Sequence, residues 1–154
     1  MRGQKPIQMS RGQELVALAK KDPEKLTYSS SGVGGNNHLA GALFADAAGI
    51  KMTHVPYKGP TAYTDVAAGI LDMAVGTVAV GRGLYKEGRI RPLAVTSPKR
   101  WMDWTEIPAI AETVPGYEVV TWAALCVPGK PSNELRDRLN KMVRASLVRP
   151  DVVS

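Results

Sequence analysis

The stretch YSSSGVGGNNHLAGALF, Tyr28 to Phe44, sets three serines and three glycines directly ahead of an apolar-patterned run that opens with two asparagines and a histidine. The residues before it, KLTYS (25–29), read as a short strand. Those after it read as a helix that Asn36 or Asn37 can cap, with Leu39, Ala40, Leu43, Phe44 and Ala47 as its buried stripe. Gly49 is the expected left-handed terminator. A helix start leaves its first N–H groups unpaired and carries a partial positive charge, so a glycine-rich loop leading into it is a cradle for carboxylate or phosphate oxygens. A tight turn capped by Ser29, Ser30 or Ser31 would use the same glycines. A turn alone needs one cap, whereas three serines, two asparagines and a histidine converge here.

The same unit recurs in kind along the chain. Ser10 and Gln13 form a capping-box start for a helix with Leu15, Val16, Leu18 and Ala19 on its apolar face, stopped by Asp22-Pro23. Beyond Gly49 come a strand KMTHV (51–55), the loop PYKGP, and a helix from about Thr61 to Ala68 with Pro60 in its first turn and Gly69 as its stop. A strand DMAVG (72–76), a helix from about Val80 to Glu87 closed by Gly88, and a strand RPLAVT (91–96) follow. Such alternation at short spacing predicts an α/β fold with a parallel or mostly parallel sheet covered by helices. The rhythm loosens from Trp101 through Trp104. An apolar strand is expected from about Tyr117 to Val127, then an amphipathic helix, 132–148, carrying Leu135, Leu139, Met142, Val143 and Leu147.

Several chemistries are disfavoured. A dinucleotide fingerprint needs a third glycine where this chain has Asn37, and an acid after the next strand, which HVPYKG lacks; a P-loop needs a lysine that Gly35-Asn36-Asn37 does not supply. Two histidines and one cysteine, without H-E-x-x-H or C-x-x-C spacing, give no support to a metal site, and no cofactor is implied. No G-x-S-x-G elbow marks a nucleophile, so no catalytic set is expected. His38, in a helix's first turn, is expected to be a neutral ring donating one hydrogen bond, with structural and ligand-contact roles both open. His54 is expected to be packed in its strand, Asp65 and Asp72 to be helix and turn residues, Glu112 to lie on the surface, and Cys126 to be buried and inert.

Net charge is +6 over 154 residues. Between Ser31 and Gly69 Lys51 and Lys58 cancel Asp46 and Asp65, so the basic excess lies in GRGLYKEGRIRP, SPKR and the last helix. Mixed with acids and without interleaved aromatics, it reads as a solvated exterior rather than a nucleic-acid groove. No uncharged apolar run approaches the ~18 residues of a spanning helix. The opening residues lack the ~7–15-residue apolar block of a signal peptide. The expectation is a cytosolic chain or an export signal outside this sequence.

The order of motifs adds a resemblance. LTYSSSGVGGNNHLAGALF, THVPYKG, DVAAGILDMAVG, RIRPLAVTSPKR, IPAIAETVPGYEVVTW and VPGKPSNELRDRLNKMV together resemble the substrate-binding proteins of tripartite tricarboxylate transporters, the Bug-type solute receptors. The resemblance runs from Leu15 to Asp151 and implies a periplasmic-binding-protein-like fold of type II, mostly the second of two α/β domains plus a C-terminal part of the first. It implies a leading helix over 1–27 packing toward a missing first domain, a ligand-binding α/β domain over 28–120, and a crossover strand and C-terminal helix over 121–154. The chain thus resembles a truncated receptor with half a cleft. By the same resemblance the protein is periplasmic, is not an enzyme, captures a small organic acid anion and hands it to a membrane permease. Surfaces left by the missing domain would favour a homo-oligomer. Positions matching the family's carboxylate grip are Ser31, Gly32, Gly34, Gly35, Asn36, Asn37 and His38, with Tyr57, Lys58 and Thr77 at the mouth. Gly35 stands where relatives usually place a serine and Asn37 where a threonine is usual.

Overall fold

The computed structural model describes residues 12–121, 124–127 and 129–153. The Ser10 cap therefore lies outside the described residues, as do Trp122, Ala123 and Pro128 of the expected 117–127 strand and its continuation. The chain divides into two compact units, Met1–Thr121 and Trp122–Ser154.

In the first unit, helix α1 (Gly12–Lys21) leads to β1 (Thr27–Ser30), α2 (Asn36–Ala47), β2 (Thr53–Pro56), α3 (Thr61–Ala67), β3 (Met73–Ala74) and α4 (Val78–Lys86). The three strands form a parallel sheet in the order β2-β1-β3. β1 is central, and Tyr28, Ser29 and Ser30 are all buried, as a parallel strand covered on both faces requires. Asp72 fixes the β1–β3 register: its Oδ2 accepts from Thr27 N–H (2.8 Å) and Thr27 Oγ1 (2.7 Å), and its own N–H donates to Thr27 Oγ1 (3.1 Å). It is thus a strand clip more than a turn residue.

The three helix stops at Gly49, Gly69 and Gly88 share one chemistry. Each glycine has positive φ, donates to the carbonyl three residues back, and is followed by a residue that donates five back, for example Gly49 to Asp46 (3.0 Å) and Ile50 to Ala45 (2.9 Å). That is the Schellman pairing, which satisfies carbonyls a helix end leaves orphaned. Leu15 and Ala19 of α1 share a core with Leu26, Phe44, Ile50, Val114 and Tyr117, so the leading helix is part of this unit's interior.

The structure corrects several expectations. α2 buries Ala40, Gly41 and Phe44, while Leu39, Leu43 and Ala47 are exposed. The buried face turned because Gly41 lets the helix lie against Tyr28: a Cβ at 41 would overlap the tyrosine ring. RPLAVT is not a strand and makes a single bridge, Val95 to Ala109. Its backbone is committed elsewhere, Val95 N–H to Pro108 O (2.9 Å), Ile110 N–H to Val95 O (2.9 Å) and Val119 N–H to Thr96 O (3.0 Å). The described residues between Tyr117 and Val127 form no strand either. Cys126 is accordingly exposed rather than buried. α4 begins at Val78, two residues earlier than its periodicity suggests.

Glu112 is exposed but clamped. Arg100 Nε and Nη2 each donate to its carboxylate at 2.7 Å, and Ala109 N–H adds a third bond at 2.9 Å. Hydrogen bonding to Arg100, then to Ala109, holds this carboxyl down at about 2.

The second unit contains α5 (Asn133–Leu147) and α6 (Pro150–Val153). α5 starts at Ser132, whose Oγ accepts from Leu135 N–H at 3.2 Å, and buries none of its residues. Leu135, Met142 and Leu147 are exposed.

Candidate functional site

The glycine loop leaves β1 at its carboxyl end and enters α2. Its turn is built from its own groups: Ser30 Oγ accepts from Gly32 N–H (3.2 Å) and donates to Gly32 O (3.1 Å), and Gly35 N–H donates to Gly32 O (3.3 Å). Gly34 N–H donates to His38 Nδ1 at 3.2 Å. His38 therefore accepts where a donated bond was expected. The amides of Gly32, Gly34 and Gly35 are thus engaged inside the loop.

The start of α2 differs. Its cap is Gly35, in extended conformation and without a side-chain bond, so neither Asn36 nor Asn37 caps the helix. Both lie inside the first turn because Gly35 already supplies the extended φ/ψ the cap position needs. The first intrahelical bond runs from Leu39 N–H to Gly35 O (3.0 Å). By helix geometry the N–H groups of Asn36, Asn37 and His38 point out of the helix end without an intrahelical acceptor.

That end opens into a cavity of about 830 Å³, large enough for a small organic molecule. Asn36, Asn37 and Thr77 of the expected residues line it. Ser31, Gly32, Gly34, Gly35 and His38 belong to the loop and first turn but not to the lining, and Tyr57 and Lys58 lie apart from it. The Tyr57 hydroxyl is committed to Asp65 Oδ2 at 2.6 Å, and that hydrogen bond, ahead of burial and the carboxylate's charge, raises its pKa. Lys58 is exposed.

Tyr63 and Thr121, missed by sequence reasoning, complete the wall around Thr77. Thr77 caps α4 by position with no side-chain bond, so a second uncapped helix start faces the same cavity. Its carbonyl accepts from Tyr63 Oη at 3.3 Å, and burial raises the Tyr63 hydroxyl. Gly76 and Gly81, on either side of Thr77, sit against the Tyr63 ring, and a Cβ on Gly76 would overlap its hydroxyl. That pair of glycines was the signal: bare positions beside an expected strand end mark a close approach. Asn36 Nδ2 donates to Thr121 Oγ1 at 3.1 Å, a contact 85 residues apart that no local pattern announces. Arg89 and Arg91 also reach the lining, so the wall is not purely neutral. Arg89 is ion-paired with Glu87 at 3.6 Å.

Among the described residues no cluster of side chains could hold a metal ion, and no helix is long and apolar enough to cross a membrane. Comparison with known proteins gives the context for this geometry. A UPF0065 protein in the tcbD-tcbE intergenic region of Pseudomonas sp. is 38% identical over 143 residues, 91% of this chain and 43% of that protein. An R. palustris protein solved with adipate matches with a TM-score of 0.87 at 34% identity, over 96% of this chain and 50% of its own. The periplasmic binding protein BugD matches with a TM-score of 0.81 at 27% identity, over 98% and 50%. The chain spans about half the length of these proteins. Its fold is the α/β fold of periplasmic binding proteins. Residues 2–154 match the tripartite tricarboxylate transporter family receptor, TctC, and the chain belongs to that family.

Proposed function

We propose that residues 28–120 carry a carboxylate-binding wall of an extracytoplasmic receptor that delivers its solute to the membrane permease of a tripartite transporter. The carrying observation is that two uncapped helix starts, α2 at Asn36 and α4 at Val78, open into one cavity. An oxyanion there meets outward N–H groups, the amides of Asn36 and Asn37 and the hydroxyl of Thr77. The adipate bound by the R. palustris relative supports an organic acid as ligand. The binding reading needs no nucleophile or cofactor, which suits reversible capture rather than turnover.

Magnitudes set the expected affinity. A helix-start contact contributes about 0.3–1 kcal/mol when exposed and up to ~2 when partly buried. Two such starts reach about 4 kcal/mol, equivalent to a Kd of ~1 mM, whereas micromolar capture needs about 8. The remaining half of the grip therefore belongs to a facing wall. Calorimetry of this chain against adipate, a tricarboxylic acid and the diamide of adipate tests the proposal. Millimolar heats for the acids and none for the diamide are expected. A well-folded chain silent toward every acid at tens of millimolar would sink it.

A second reading rests on α5, whose exposed Leu135, Met142 and Leu147 favour self-association. Light scattering that returns a strict monomer at high concentration removes it.

A further inference from the structure

The chain's two histidines, 16 residues apart in sequence, meet behind the glycine loop. Parallel pairing sets His54 of β2 beside Tyr28 of β1, with their rings 4.9 Å apart. His38, in the first turn of α2, lies over His54 at 4.2 Å between centroids, tilted by 46°. Ser30 stands two residues along β1 from Tyr28, on the same face, and its Oγ is 2.7 Å from His54 Nε2.

Ser30 Oγ lies 2.7 Å from His54 Nε2 and can accept a hydrogen bond from that nitrogen while giving its own proton to Gly32 O at 3.1 Å. A cationic His54 keeps that bond. His38 is different, because its Nδ1 is an acceptor for Gly34 N–H. A protonated Nδ1 is a donor facing a donor, and the bond must break. The second ring at 4.2 Å then opposes a further charge.

We infer that His38 and Gly34 form a proton-operated latch on the glycine loop: proton uptake at His38 Nδ1 releases the Gly34 amide, and an anion at the start of α2 drives that uptake. The second half rests on the carboxylate-site reading; the first does not. Protonation places a positive charge in the first turn of α2, beside an already electropositive helix end, so bound anion and bound proton favour each other. By linkage the effect is reciprocal.

No neighbouring acid supplies a competing explanation. The titratable and charged groups on the packed elements are Tyr28 on β1, Asp46 about two turns along α2, Lys51 ahead of β2 and Lys58 after it, and among the described residues none of them hydrogen-bonds or ion-pairs with either ring. Asp65 is held by Tyr57 and Asp72 by Thr27. Burial, then the nearby His38, lowers the His54 pKa, as a stacked pair behind a strand should.

The test is an NMR pH titration of the nitrogen-labelled chain, following both rings and the Gly34 amide, with adipate calorimetry at two pH values. In the free chain the Gly34 amide should move with the midpoint of the His38 ring, and His38→Gln should abolish that movement and raise the His54 midpoint. Adipate should bind about three- to tenfold tighter at about pH 5.5 than at about pH 7.5, with net proton uptake seen as heat that depends on the buffer. A Gly34 amide that stays still while His38 titrates overturns the latch, and the wild-type titration alone decides this if the variant fails to fold. Adipate binding that is independent of pH overturns the coupling. If adipate does not bind at either pH the site reading fails, while the Gly34 titration still decides the latch.

Discussion

Helices α2 and α5 begin alike, each after a cap residue in extended conformation, and end as opposites. α5 closes its own start with the Ser132 hydroxyl and buries nothing; α2 leaves its start open and is held in place by its middle, where Ala40, Gly41 and Phe44 meet the sheet and core. A side-chain cap satisfies an orphan amide locally, and that amide is no longer available to a ligand. An uncapped start with glycine at the cap keeps its donors but forgoes roughly a few tenths of a kcal/mol of local stabilisation, which tertiary packing must offset. Open helix starts are therefore expected where packing holds the helix in place.

The strongest way to break this contrast is at Gly41. Alanine there gains about 1 kcal/mol of helix propensity but drives a methyl into the Tyr28 ring. Overpacking of about 1–3 kcal/mol wins. Gly41→Ala should lower the denaturant midpoint of the first unit and weaken adipate binding by misplacing the α2 start. Unchanged stability would show that α2 is not positioned by this contact.

On α5 the contrast runs the other way. Ser132→Ala removes the one described side-chain cap of that helix and should cost about 1 kcal/mol locally, seen as faster amide exchange at the start of α5 with exchange in the first unit unaltered. Exchange at the start of α5 that does not speed up would show that the Ser132 cap adds nothing there.

Much of this was legible in the sequence, for stated reasons. The three glycine stops, the β1-loop-α2 passage and the α3 start are local chemistry, and local chemistry is what a sequence displays. Leu39 and Leu43 misled because a glycine contact, not hydrophobicity, chose the buried face of α2. The 91–96 segment misled because its backbone groups bond to Pro108, Ile110 and Val119, partners far along the chain that an apolar run does not announce. The sequence offers Asn36 or Asn37 as the cap, but Gly35 occupies that position. Of the residues the sequence proposed for the site, Asn36, Asn37 and Thr77 line the cavity. Tyr63 and Thr121 came from other elements, and only folding brings them near.

Tyr117 sharpens the account of how α2 is held from behind. Its hydroxyl donates to Ala40 O at 3.0 Å and its ring meets Phe44 edge-on at 6.2 Å. Tyr117→Phe should cost about 0.5–1.5 kcal/mol near neutral pH. Burial pushes the hydroxyl from 10.0 up to about 12. Across that interval the fold retains a proton the unfolded chain has released, so stability is fully present below about pH 10 and falls toward about pH 12. The phenylalanine variant should lose that part of the alkaline decline. An identical alkaline profile for the two chains would deny Tyr117 this role.

The smallest expected effect comes from giving α2 the cap that α5 has. At Gly35 the φ is −70° and a Cβ would stand 3.4 Å from Gly32 O and 3.6 Å from Ser31 Oγ, ordinary contact distances. Gly35→Ser therefore fits without strain and sets a hydroxyl where it can accept from Asn37 or His38 N–H. Serine exceeds glycine at this position by only a few tenths of a kcal/mol. The sharper readout is amide exchange: the Asn37 and His38 amides should exchange fast in the native chain and slow down in the variant. If they are already slow in the native chain, those donors have an acceptor, the α2 start is closed after all, and its contrast with α5 disappears.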